Sequence, residues 1–230
     1  MKLEKFISNV TDLTRSQIKK LLKEKKVFIN DNLVTSDSIN FKVEKLVIDQ
    51  IAYNTDEYVY IMLNKPQNYI TSHKDELYPS LFNLVSDAKR KNLIAYGRLD
   101  VDTEGLLLIS DDTESSHKLL SPKHHVEKKY YVEVDKKIPT SLVEIFLNGF
   151  IIDKNDKVLP SKLLIISDNK CYLTIKEGKF HQVKRMFKTH YLNVTFLKRI
   201  EFNNLKLDET LKPGQWRYLT KKEVELLLKF

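Results

Sequence analysis

The chain has 230 residues, 42% of them apolar, and a formal net charge of +8. No stretch approaches the ~18 consecutive apolar residues of a membrane span, and the length suits one or two domains. A single cysteine, Cys171, excludes an internal disulfide and a thiolate metal cluster, while the positive surplus favours a polyanionic partner.

The N-terminus, Met-Lys-Leu-Glu-Lys-Phe-Ile, lacks the apolar core of a signal peptide, so a cytoplasmic location is the default. Phe6 and Ile7, then Ile18, Leu21 and Leu22, recur at helical spacing. Thr14 is a fair N-cap for the second helix. Arg15, Lys19, Lys23 and Lys26 fall on its opposite face, and residues 12–28 hold six basic side chains against two acidic ones. That stripe reads either as a solvated face or as a phosphate-contacting one. Val27-Phe28-Ile29 enters the polar turn Asn30-Asp31-Asn32, whose residues tolerate positive φ. Leu46-Val47-Ile48 reads as a further strand. Residues 50–57 read as a short linker, which divides the chain at 1–57 and 58–230.

Tyr58 to Leu63 is predicted to be a strand, ended by Asn64-Lys65-Pro66 because proline cannot donate to a ladder. Leu77 to Val85 is expected to form a turn and a short helix. Residues 98–104 carry four charges in seven positions, bracketed by Gly97 and Gly105. Leu106-Leu107-Leu108-Ile109 follows as a strand buried on both faces. Asp111 and Asp112 end it and can cap the next helix, Thr113 to Leu120. A carboxylate-rich loop is thus held against a core strand, the usual arrangement of a catalytic site.

Beyond Ser121-Pro122-Lys123-His124-His125, the run Tyr130 to Val134 alternates as a strand does. The histidine pair lacks a cysteine or carboxylate at metal-ligand spacing, so a basic loop touching phosphate fits it better. Thr140 to Leu147 reads as a helix closed by Gly149. Cys171 to Ile175 alternates as a strand. Residues 176–199 carry seven basic side chains and one acidic. Val194 to Ile200 is a strand, Pro213-Gly214 a turn, and Thr220-Lys-Lys-Glu223 a capping box that opens a last helix.

Three separated segments, in order, resemble the pseudouridine synthase family. They are Met62-Leu-Asn-Lys-Pro-Gln-Asn-Tyr69; Arg98-Leu99-Asp100 with Thr103-Glu104-Gly105; and Gly178-Lys-Phe-His181-Gln-Val-Lys184-Arg185. The Ser-Pro-Lys-His-His run and Glu127-Lys-Lys-Tyr130 look most like the branch that modifies a small-subunit ribosomal RNA uridine. The order helix, basic helix, hairpin at the N-terminus resembles the S4 RNA-binding module, with Glu4 where that family often has Asp.

The resemblance implies an α+β fold: a small S4-like module followed by a catalytic domain with a mixed, mostly antiparallel central sheet and flanking helices. It implies isomerisation of a ribosomal RNA uridine, uridine 516 of 16S rRNA, in a small-subunit assembly intermediate, by a monomer that uses neither cofactor nor metal. A related synthase acting on a 23S rRNA uridine, or a ribosome-assembly factor that binds RNA without catalysis, are the alternatives. Asp100 is implied as the catalytic carboxylate, Lys184 as its cationic partner where relatives often carry Arg, and Tyr130 as the ring that stacks on the base. Arg98, Lys65, His124, His181 and Arg185 are implied as RNA contacts, joined by Arg15, Lys19 and Lys23 of the N-terminal stripe. Asp102 and Glu104 are the competing carboxylates.

Overall fold

The computed structural model describes residues 2–34, 38–153 and 155–229, with Pro122 by its backbone alone. Two compact units emerge.

The first unit holds the chain through Val59 together with Val85–Ile94 and Ser110–Asp112. Helix α1 is Leu3–Val10, and its Leu3, Ile7 and Val10 are buried at one-turn spacing. Helix α2, Arg15–Lys23, starts at a capping box in which Thr14 and Gln17 bond each other's backbone N–H. Strands β1 (Val27–Ile29), β2 (Asn32–Leu33), β3 (Leu46–Ile48) and β4 (Ile51–Tyr53) form a sheet of order β2-β1-β3-β4. Both helices pack on its inner residues, Val27, Ile29, Leu46 and Ile48. The β1–β2 turn uses Asn30 and Asp31 at φ 48° and 65°, as their short polar side chains allow.

Two expectations change here. Residues 50–57 are not simply a linker, because Asp49 and Gln50 adopt φ 49° and 67° and fold Ile51–Tyr53 back onto β3 as β4. Lys26 lies beyond the end of α2, where its ammonium pairs with Asp49 at 3.3 Å and Glu24 at 3.4 Å. The exposed basic face of α2 is therefore Arg15, Lys19 and Lys23.

Arg90 ties the unit's separate segments together. Its buried guanidinium bonds Asp111 Oδ2 at 2.6 Å and the carbonyls of Asp56 and Glu57 at 2.9 and 2.5 Å. Asp111 Oδ1 also accepts from the Val59 N–H at 2.9 Å. The Asp111 carboxylate expected to cap a helix is spent on these partners instead.

The second unit is built on strands β5 (Tyr60–Lys65), β6 (Ile94–Ala95), β7 (Glu104–Ser110), β8 (Lys128–Val134), β9 (Lys162–Ser167), β10 (Lys170–Ile175), β11 (Val194–Phe202), β12 (Leu205–Lys206) and β13 (Trp216–Tyr218). Its sheet runs β13-β5-β7-β11-β8-β10-β9, with β6 on β7 and β12 on β11. The β7–β11 pair is parallel, whereas β8 is antiparallel to both β11 and β10. Helices α3 (Thr113–Leu120), α4 (Leu142–Asn148), α5 (Gln182–Lys188) and α6 (Lys221–Leu227) flank it. Leu81–Ala88, whose residues from Val85 on are counted with the first unit, is a 3-10 segment kinked at Val85, displaced toward the C-terminus from the expected helix. Strand β5 likewise starts at Tyr60 rather than Tyr58 and includes Lys65. The buried run Leu106–Ile109 lies on an interior strand of the sheet, as its composition dictates.

Among the described residues no helix is long and apolar enough to cross a membrane.

Candidate active site

The loop from Tyr96 to Thr103 is held by hydrogen bonds to its backbone at several points. The Tyr96 N–H bonds Leu108 O at 2.7 Å. Thr71 Oγ1 donates to Leu99 O at 3.2 Å, and Asn68, at φ 65°, donates its N–H to Val101 O at 2.7 Å. Lys65 Nζ donates to the carbonyls of Asp100, Thr103 and Pro66, each at 3.0 Å. Gly105 closes the loop at φ 107°, where a Cβ would fall 2.2 Å from the Arg199 carbonyl oxygen. Only glycine permits that approach of β7 to β11.

This bracing presents the Asp100 carboxylate to a cleft lined by Arg98, Asp100, Tyr130, Lys179, His181 and Lys184, with Gln182 and Leu197 among the walls. Helix α5 supplies the cation: Lys184 Nζ is 3.1 Å from Asp100 Oδ2 and 2.5 Å from Asp102 Oδ1. His181, at φ 47° at the head of α5, brings Nε2 to 3.6 Å from Asp100 Oδ1. Burial works to raise the Asp102 pKa, but the hydrogen bond and charge of Lys184 outweigh it and hold this carboxyl below its ordinary range. Burial also works against the Lys184 ammonium, yet the hydrogen bond and charge of Asp102 and Asp100 keep its pKa raised.

The structure thus brings Asp100, Lys184, Tyr130, His181 and Arg98 into one cleft. Other expected contacts lie elsewhere. Lys65 is fully buried beneath the loop, and its ammonium faces three carbonyls rather than solvent. Burial pushes its pKa down to about 8, against the pull of Asp102, Asp100 and Glu104. Arg185 turns away from the cleft and pairs with Asp153 and Asp156 while its Nη1 bonds Phe180 O at 3.0 Å. His124 is exposed in the short 3-10 turn Pro122–His124, apart from the cleft lining. Among the described residues no group of three or more His, Cys, Asp or Glu side chains is arranged to hold a metal.

Sequence reading missed Arg199, whose side chain is buried behind the cleft. It donates from Nε to Leu106 O at 2.7 Å and is the cross-strand neighbour of Tyr130. Burial lowers its pKa, and Tyr130 works against that shift. Its signal was available: Arg199 shares the inward parity of Leu197 on a strand, where an unpartnered charge would be costly. Thr71 carried no such signal, because its role depends on a loop 28 residues away.

A carboxylate held by one lysine, with a buried tyrosine lining the same cleft, is suited to charge stabilisation and proton transfer on a bound substrate. The comparisons agree with a nucleobase-modifying class. Residues 59–189 match the model of the RNA pseudouridylate synthase family. The chain is 38% identical to ribosomal small subunit pseudouridine synthase A of Haemophilus influenzae over all of both chains. It is 33% identical to the protein of that name in Escherichia coli, over 97% of this chain and 98% of that one. A solved structure titled pseudouridylate synthase superposes with a TM-score of 0.71 at 37% identity, covering 99% of both chains. The chain belongs to the RNA pseudouridylate synthase family, and it is an RNA pseudouridine synthase.

Proposed function

We propose that this enzyme isomerises a uridine of small-subunit ribosomal RNA, uridine 516 of 16S rRNA, in an assembling subunit in the cytoplasm. The observation that carries the reading is the full-length similarity to synthases named for the small ribosomal subunit. The reaction breaks the bond from N1 to ribose C1′, turns the uracil, and joins C5 to C1′. The proton lost from C5 is balanced by one gained at N1, so the reaction needs no oxidant and no cofactor.

In this reading Asp100 supplies the negative charge that meets the ribose or the ring, and Lys184 pairs with it and orients it. Tyr130 lies against the uracil and handles a proton. Arg98, exposed at the mouth of the cleft, occupies the space the flipped base leaves. Flipping costs a few kcal/mol, which the contacts made by the extruded base repay. Residues 1–57 act as an S4-like module in which Arg15, Lys19 and Lys23 contact phosphates, and the protein works as a monomer.

The test is to map pseudouridines in ribosomal RNA from cells with and without the protein, and after reconstitution with the purified enzyme. Loss and recovery of one modification in 16S rRNA is expected. A lost modification in 23S rRNA would overturn the assignment of the target.

A further inference from the structure

Phe180 departs from what folding alone would select. The residue is 77% exposed, on a loop whose backbone is braced by hydrogen bonds. Gln182, itself buried, accepts from the Lys179 N–H at 2.9 Å and donates to Glu177 Oε1 at 2.8 Å. The Gln182 N–H returns to Lys179 O at 3.1 Å, and Arg185 holds the Phe180 carbonyl. Asp156 and Asp153 in turn hold Lys179 and Arg185. A hydrophobic ring is therefore presented to water on a braced backbone, which forgoes the stabilisation its burial would bring.

Its position gives the exposure a use. One face of the Phe180 ring stacks on His181, with centroids 3.8 Å apart and planes 19° from parallel. His181 Nε2 is 3.6 Å from Asp100 Oδ1, and both chain neighbours of Phe180 line the cleft. The rings thus form a short stack leading outward from the carboxylate. Leu77 and Tyr191 are exposed to a similar degree, but neither they nor their chain neighbours line that cleft. Every nucleobase has a face that stacks on an aromatic ring, and such stacks carry much of the affinity of single-stranded RNA sites.

We propose that Phe180 is a stacking platform for the base of a nucleotide flanking the target uridine. The inference rests on the reading that the substrate is RNA with its target base flipped out. It adds a subsite outside the cleft, which receives a neighbouring unstacked base and holds the strand while the uridine enters.

The test uses the full chain as wild type, Phe180→Ala, Phe180→Leu and Phe180→Trp. The probe is a synthetic RNA spanning the mapped uridine, with an abasic nucleotide placed in turn at each flanking position. Phe180→Ala and Phe180→Leu should bind the intact RNA about 5- to 150-fold more weakly, the range alanine substitution gives for a base stack. Phe180→Trp should bind at least as well as wild type. One abasic position should weaken wild type by a similar factor and add nothing in Phe180→Ala. The slope of log Kd against log salt should stay the same, since no phosphate contact is lost. Wild-type affinity in the alanine and leucine variants would overturn the proposal. So would equal abasic penalties in wild type and Phe180→Ala, or a fall in single-turnover rate at saturating RNA with Kd unchanged. If wild type forms no pseudouridine in the RNA, the substrate reading itself has failed, an outcome distinct from a flat Phe180 series.

Discussion

The Lys184 ammonium stands 3.1 Å from Asp100 Oδ2, and it does so while holding Asp102 at 2.5 Å. One cation serves two carboxylates that differ in setting. The Asp100 side chain is 29% exposed in the cleft and that of Asp102 is 61% exposed. The more enclosed carboxylate is the better placed to meet a bound ring.

Asp100→Asn keeps the shape and removes the charge. Its pseudouridine-forming rate should fall by about 10³-fold or more while RNA affinity stays near wild type. Asp102→Asn should be far milder, because Lys184 then attends Asp100 alone. Single-turnover rates and binding curves for both variants decide the matter, and the reverse order of effects would mean Asp102 is the reacting group.

Lys65 should link the catalytic loop to pH. The folded chain releases this proton near pH 8, while in the unfolded chain the lysine keeps its ordinary value of 10.5. Between those values unfolding takes up a proton, so this group makes the fold more stable as pH rises across that window. Lys65→Met lacks the effect and leaves three carbonyls without their donor, at a cost of about 1–3 kcal/mol. Denaturation of both proteins at pH 7 and pH 10 should show the gap between them widening with pH. Turnover of wild type should fall above pH 8 as the charged donor is lost.

Arg90 and Asp111 form an ion pair whose side chains are 1% and 11% exposed. Removing one partner strands the other in a poorly solvated site, so Arg90→Ala should cost about 3–5 kcal/mol. Lys118→Ala, which breaks the exposed pair with Glu114 on α3, should cost under about 0.5 kcal/mol. Urea titrations of the two variants give the contrast, and similar losses would remove the special role of Arg90.

Changing Lys19 and Lys23 together to Ala should flatten the salt dependence of RNA binding by roughly 1 to 1.5 units of slope. Affinity should fall alike for most sequences, because phosphate contacts position a protein without reading bases. Stability should change little, as both side chains are exposed on α2. An unchanged slope would mean the basic face is solvated surface.

The chain by itself determined whatever depends on near neighbours. The Thr14 start of α2, the Thr220–Glu223 capping box, the Asn30-Asp31 turn, the Gly149 end of α4 and the burial of Leu106–Ile109 all follow from side chains within a few positions of one another. The motif residues Asp100, Tyr130 and Lys184, and the pairing of Asp100 with Lys184, could also be named, since the resemblance of three ordered segments to a known family implies them. The second partner of Lys184 could not be named, because Asp102 lies 82 positions from it and meets it only where the folded chain sets α5 against the loop. Tertiary structure alone decided the uses of several charges. Lys65 and Arg185 read as RNA contacts, yet burial turned one toward carbonyls and two aspartates claimed the other. It also made Ile51–Tyr53 a strand, because a short polar-flanked segment has no periodicity of its own and gains its hydrogen bonds only from β3. A charged side chain in a folded chain takes the partner that offsets its desolvation, and the identity of that partner is a long-range fact that local spacing does not encode.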